Sequence, residues 1–332
     1  MMIFRTELPY NPNSIKLDYK SKIFTIGSCF ATEISNKLSQ YKFSVLHNPF
    51  GVIFHPLAIE NALMRIFSQE EYQVSELFKY EELYLSWDHH SSFSDISKER
   101  VLTRINQNIN FANKFLQETD MVIITLGTSF VYKLKQFDII VANCHKIPNT
   151  HFSKLLLAEH QIITSLKNII DMLTDIGKKD MKIFFTLSPV RHIKDGMVEN
   201  NKSKSKLLCA IHSVVESYDN CEYFPSYEFM IDDLRDYRFY KEDLIHPNDI
   251  AIKYIWEKFK QAHISSEEFI TMQMVKKVNT SLQHKIQNTQ TIAYKKFLYN
   301  IVKNIQDLEP LLPPGAFKEE LQELRKRMDE SY

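Results

Sequence analysis

Two side chains with nucleophilic atoms stand together in Gly27-Ser28-Cys29-Phe30-Ala31, directly after the apolar, β-branched run Lys22-Ile23-Phe24-Thr25-Ile26. The run reads as a strand over 22–26, and the spacing of Thr32, Ile34 and Leu38 predicts a helix over roughly 30–40. A strand that turns sharply into a helix presents the turn at the carboxyl edge of a sheet. It also aims the first N–H groups of the helix at whatever binds there. A hydroxyl or thiol nucleophile needs this arrangement if an oxyanion is to form beside it. The second anchor is Asp243-Leu244-Ile245-His246. An Asp three residues before a His in a turn can accept from one imidazole N–H and leave the other nitrogen as a general base. On its own that spacing is common, and a loop histidine ahead of the helix opening at 248–250 is the plainer reading.

The elements that must carry these groups follow from punctuation and periodicity. The chain has only 6 glycines in 332 residues, and so poor a supply stays where no other residue fits. Gly27, Gly51 and Gly127 each follow a strand candidate (22–26, 42–46 and 121–126), which suggests one shared site at the carboxyl edge of a parallel sheet. Further strands are expected at 182–187 and near 221–224. Helices are expected at 56–67, 96–117, 153–175, 202–217 and 249–261, with a loop-rich piece carrying Cys144 and His145 ahead of the third. Residues 77–80 and 83–87 read as short aromatic strands of an insertion spanning about 52–118. The aromatic-rich part, Tyr72 to Phe93, suits a lid or sugar-stacking wall as well as plain core packing. The alternation from 22 to 260 predicts a three-layer α/β/α sandwich with a mostly parallel sheet, as one domain over 1–262. Residues 263–332 have no strand candidate and read as a helical extension that packs on the core or pairs with another subunit as a homo-oligomer.

Composition bounds the function. Lys+Arg and Asp+Glu both number 41, so there is no electrostatic case for a general nucleic-acid binder. No apolar run approaches the ~18 residues of a membrane span, and the first residues lack a basic region followed by an apolar core. Cys29, Cys144, Cys209 and Cys221 show no metal-ligand spacing. Reduced thiols in a cytoplasmic protein are the economical expectation.

The turn Gly27-Ser28-Cys29-Phe30-Ala31 resembles the signature of the GSCFA family, a group related to the SGNH/GDSL esterases and acyltransferases. Asn48-Pro49-Phe50-Gly51, Trp87-Asp88-His89-His90-Ser91, Gly127-Thr128, Ser188-Pro189-Val190-Arg191-His192, and Tyr237-Arg238-Phe239-Tyr240 running into Asp243-x-x-His246-Pro247 are similar to that family too. The resemblance implies a flavodoxin-like sheet and a nucleophile–His–Asp site. Matched without a gap to the Gly-Asp-Ser of the SGNH enzymes, the turn puts Cys29 at the nucleophile position, with Ser28 there only if the match slips by one. The resemblance also implies oxyanion donors at the nucleophile, at Gly51, and after the third strand. That last element should read Gly-x-Asn and here is Gly127-Thr128-Ser129, where a hydroxyl offers one hydrogen bond against the two of an amide.

The expected protein is therefore an ester hydrolase or O-acyltransferase acting on an acylated small molecule or sugar. Cys29 or Ser28 attacks, His246 is base then acid, Asp243 orients it, and Gly51, Gly127, Thr128 and Ser129 serve the oxyanion. His89, His90, Arg191 and His192 line the substrate site, Arg191 being placed to meet a carboxylate or phosphate. Hydrolysis requires no cofactor, and transfer would use an acyl thioester donor. Adjacent histidines cannot easily both ligate one ion, so no metal is expected. The rival is a non-catalytic ligand-binding module, and the missing Asn is its support.

Overall fold

Five apolar runs become the strands of one parallel sheet because helices cover both of its faces. The structure, a computed structural model, describes residues 6–12, 16–284 and 289–329. Along the chain lie β1 (Lys22–Gly27), α1 (Cys29–Gln40), β2 (Ser44–His47), α2 (Pro56–Ser68), β3 (Leu77–Tyr80), β4 (Leu83–Ser86) and α3 (Lys98–Leu116). Then come β5 (Met121–Leu126), β6 (Phe130–Leu134), β7 (Ile139–Val141), β8 (Phe152–Leu156), α4 (Glu159–Ile176), β9 (Lys182–Leu187), α5 (Met197–Val215) and β10 (Cys221–Phe224). The short α6 (Ser226–Glu228), α7 (Asp249–His263), α8 (Glu268–Gln283), α9 (Ile292–Leu308) and α10 (Lys318–Asp329) complete the order.

The central sheet runs β2-β1-β5-β9-β10. Numbered among themselves these strands read 2-1-3-4-5, the flavodoxin-like order, whose ligand crevice opens where the order reverses beside the first strand. Every residue of β5 is buried, and β1 and β9 are buried after their first residue, so they are apolar throughout instead of alternating. Phe24, Ile26, Val122, Ile124, Ile183 and Phe185 lie in one large apolar cluster with Ile59 and Leu63 of α2, Val101 and Ile105 of α3, Leu166 and Ile169 of α4, and Leu207 and Ile211 of α5. The three-layer α/β/α sandwich expected from the sequence is present, with further helices at the C-terminal end.

The structure departs from the expected elements between β5 and β9. The piece read as loop-rich folds as a three-stranded antiparallel sheet, β7-β6-β8. The helix expected from 153 begins only at Glu159, because Phe152–Leu156 pairs with β6 as β8. These strands are three to five residues long, too short for periodicity to register. The expected strand at 77–80 pairs with 83–86 as an antiparallel hairpin. Phe78 and Trp87 stack at 3.8 Å and Trp87 meets Phe152 edge-on at 6.0 Å, so the aromatic insertion packs its rings against one another.

The chain divides into two compact units. One combines the segment ending at Tyr10 with Lys22–Ser35 and Leu46–Lys258; the other combines Asn11–Ser21, Asn36–Val45 and the chain from Phe259 onward. Within the second, Leu17 donates to His263 O at 2.7 Å and accepts from Ser265 N–H at 2.8 Å. Lys42 pairs with Glu320 and lies 4.5 Å from the Phe317 ring, while α9 packs on α8 and α10. Among the described residues no helix is long and apolar enough to cross a membrane.

Candidate active site

β1 ends in a forced turn. Gly27 has φ +142, and a Cβ there would lie 2.2 Å from Thr125 O on the neighbouring strand β5. Asn48, itself at φ +43, closes the turn from the other side. Its Oδ1 accepts from Gly27 N–H at 2.8 Å, its Nδ2 donates to Thr32 Oγ1 at 3.0 Å, and its own N–H donates to Thr25 O at 2.8 Å. The turn sits beside the first strand, where the strand order reverses.

The two candidate nucleophiles part ways here. Ser28 is 5% exposed, its N–H donates to Thr125 O at 3.0 Å, and its Oγ accepts from Phe30 N–H at 3.3 Å. It is a helix cap, with its hydroxyl turned to the backbone. Cys29, the first residue of α1, is exposed. Partial desolvation nevertheless pushes its thiol above the ordinary value. Its own N–H and the Lys241 ammonium pull downward, and Glu33 adds to the rise. A thiol held in its protonated form needs a base to remove the proton.

Lys241 belongs to a loop that folds back on itself. Its N–H donates to His246 O at 2.7 Å, and Tyr240 bridges to Pro247, so 240–247 is a pinched loop with the Asp243–His246 pair at its tip. Asp243 Oδ2 lies 2.7 Å from His246 Nδ1, and its Oδ1 accepts from Ile245 and His246 N–H at 2.9 and 3.0 Å. Those two backbone donors, His246 first, and then the imidazole hold the Asp243 carboxyl down at about 2. An ionised Asp243 fixes the proton on Nδ1 and leaves Nε2 as the acceptor.

The remaining sequence candidates divide. Gly51 N–H donates to Asn48 O at 2.7 Å, and Gly127 N–H donates to Phe54 O at 2.7 Å. The Thr128 hydroxyl lies 2.9 Å from Ser203 Oγ, while Ser129 N–H and Oγ donate to Ser203 Oγ and O at 2.8 and 3.1 Å. These groups make hydrogen bonds inside the protein, tying the β2 and β5 loops to Asn48, Phe54 and α5. His89 packs inside the protein. It is 1% exposed, stacks on Phe50 at 4.3 Å, and shares a 2.9 Å hydrogen bond with Ser86. His90 lies over Gly51, where an added Cβ would come within 2.4 Å of its own, and its Nδ1 accepts from Ser92 N–H at 3.2 Å. Arg191 is engaged in holding the loop: its N–H donates to Ile245 O at 3.2 Å, its Nη1 to Leu244 O at 3.4 Å, and its guanidinium lies 4.0 Å from the Tyr240 ring. His192 is half-buried, 6.2 Å from the Phe54 ring, with its N–H on Asn200 Oδ1 at 2.8 Å. Among the described residues no cluster of three or more His, Cys, Asp or Glu is arranged to hold a metal ion.

Buried histidines around this edge make the fold acid-sensitive. Burial pulls His55 down to about 4, opposed by Val141 O, and pulls His89 down to about 3, helped by His145. In the unfolded chain both bind a proton near pH 6.5, so below that pH the unfolded state holds more protons and stability falls with pH until the folded values are reached. Each contributes about 1.4 kcal/mol per pH unit in that window. Urea melts should show a midpoint at pH 5 well below that at pH 7, and the His55→Asn variant should lose part of that dependence.

The flavodoxin-like sheet carries an exposed thiol where its strand order reverses. The chain belongs to the GSCFA family, whose profile matches residues 22–259, and the GSCFA domain protein, C-terminal domain, matches 275–330. No curated protein sequence matches the chain. A solved structure from Streptococcus pneumonia, provisionally named platelet activating factor, is similar over 73% of this chain and 83% of its own, at 9% identity and a TM-score of 0.38. That likeness is too distant to bear on chemistry.

Proposed function

We propose that this protein is an acyl-transfer enzyme of SGNH/GDSL kinship, a cytoplasmic ester hydrolase or O-acyltransferase acting on an acylated small molecule or sugar. The observation that carries the reading is the exposed Cys29 at the start of α1, whose thiol feels the ammonium of Lys241, a residue of the loop that bears Asp243 and His246. In this mechanism His246 Nε2 takes the thiol proton as Sγ bonds to the acyl carbonyl, and Asp243 holds the imidazolium that forms. The tetrahedral oxyanion draws on the Cys29 N–H, which lies against its own sulfur, and on the positive end of α1. Collapse expels the alcohol, which takes the proton from His246. Water or a sugar hydroxyl then cleaves the thioester by the same path, and the same chemistry run from an acyl thioester would load Cys29.

Cleavage of p-nitrophenyl acetate tests the reading. Asp243→Asn keeps the Oδ1 acceptor for the loop but turns the group facing Nδ1 into a donor, which reverses the tautomer, so kcat should fall about 10²–10⁴-fold. His246→Ala should fall at least as far. If both variants match wild type, the mechanism is wrong. The second reading, a ligand-binding module without turnover, is favoured by the internal bonding of Gly51, Gly127, Thr128 and Ser129. It predicts no His246-dependent cleavage at all.

A further inference from the structure

The face of α5 that meets the sheet edge carries Asn200, Ser203 and Lys204, which are 3%, 1% and 1% exposed. They continue the buried stripe of Leu207, Ala210, Ile211 and Val214 toward the helix N-terminus, at the same helical phase but with polar side chains. Each holds a different loop. Asn200 Oδ1 accepts from His192 N–H at 2.8 Å, Ser203 binds Thr128 and Ser129, and Lys204 Nζ donates to Ser188 O at 2.6 Å.

Lys204 is the unusual member. A buried ammonium ordinarily has a carboxylate beside it, yet here the Ser188 carbonyl and the Tyr227 ring, 5.7 Å away, are what it meets. His192 lies on this side too; burial chiefly pulls its imidazole below the ordinary value, Asp195 opposes this, and Lys154 and Lys204 add to it. Burial alone pulls the Lys204 amine down to about 7, and charged or neutral it remains a donor. Ser188 follows β9 and is the first residue of the loop that reaches Arg191. Arg191 in turn holds Leu244 and Ile245, the two residues between Asp243 and His246.

We infer that Lys204 is a positioning residue, acting through Ser188, Arg191 and the 244–245 backbone to hold His246 against Cys29. The inference rests on the Cys29–His246 reading, and its test separates the two. The readout is alkylation of Cys29 by iodoacetamide, followed peptide by peptide, with the exposed Cys209 as internal reference. Lys204→Met keeps the unbranched chain and removes the donor. At pH 7 it should slow alkylation of Cys29 about tenfold, as a displaced base does, while Cys209 reacts as in wild type. His246→Ala should slow Cys29 at least as much, and all variants should converge at pH 10, where the thiol ionises without help. Arg191→Met breaks the same relay at the surface and should reproduce the effect. If His246→Ala leaves Cys29 unchanged, the base assignment falls and this inference with it. If His246→Ala slows Cys29 but Lys204→Met and Arg191→Met do not, the relay alone is overturned. Should Lys204→Met lose its urea transition, Arg191→Met decides by itself: a wild-type alkylation rate refutes the relay.

Discussion

Replacing Cys29 with alanine should abolish cleavage of p-nitrophenyl acetate, by about 10³-fold or more, as loss of a covalent nucleophile does elsewhere. Replacing Ser28 with alanine should leave cleavage in place and cost about 1 kcal/mol of stability, the value of one helix cap. The contrast rests on where two adjacent heteroatoms point. Ser28 Oγ is turned inward onto Phe30 N–H, whereas Cys29 is exposed at the first position of α1. Desolvation raises the Cys29 thiol, so the proposed reaction would draw on proton removal by a base and not on a standing thiolate. The acyl-enzyme should therefore form in wild type and be detected as a mass increment on the Cys29 peptide, and His246→Ala should form it far more slowly. A Cys29→Ala protein that turns over normally, or an increment found on Ser28, sinks the assignment.

That contrast was half legible in the sequence. The strand–Gly–helix pattern of 22–40 gave the turn its place, because continuous apolar runs and scarce glycines are local signals, but which of Ser28 and Cys29 is exposed was not legible. The Asp243–His246 pair was legible as a spacing, and the loop that carries it was not, since it depends on how 240–247 folds back on itself. The internal bonding of Gly51, Gly127, Thr128 and Ser129 was not legible either, for a related reason. Residue types after β2 and β5 matched a pattern of donors, but whether a donor is free depends on non-local partners, here Asn48, Phe54 and Ser203. Asn48 was visible as part of a turn motif, and its positive φ is the kind an Asn accepts. The signal for Asn200, Ser203 and Lys204 was also present: they fall in phase with Leu207, Ile211 and Val214. Polar residues on the apolar stripe of a helix mark either an exposed end or a buried network, and only the surrounding loops distinguish these.

Gly27→Ala should be the most damaging single substitution to the fold. The added methyl would lie 2.2 Å from Thr125 O, 2.8 Å from Thr125 N and 2.9 Å from Thr125 C, all backbone atoms of the buried central strand β5. Neither neighbour can yield cheaply. Gly27 is in register with Thr125 in the β1–β5 ladder, Ser28 N–H donates to the same Thr125 O, and Asn48 Oδ1 fixes Gly27 N–H. At φ +142 the backbone is also strained for any L side chain. Together a clash and a strained φ should cost about 4 kcal/mol or more, a large part of the 5–15 kcal/mol that holds a typical domain. Gly196→Ala separates the two causes: it has φ +91 but nothing within 4 Å of its Cβ position, so it should lose only about 1–2 kcal/mol. Urea unfolding of both variants measures the difference. Equal losses would mean that φ alone matters and that β1 and β5 can separate at Gly27, which would also loosen the placement of Cys29 on which the proposed chemistry depends.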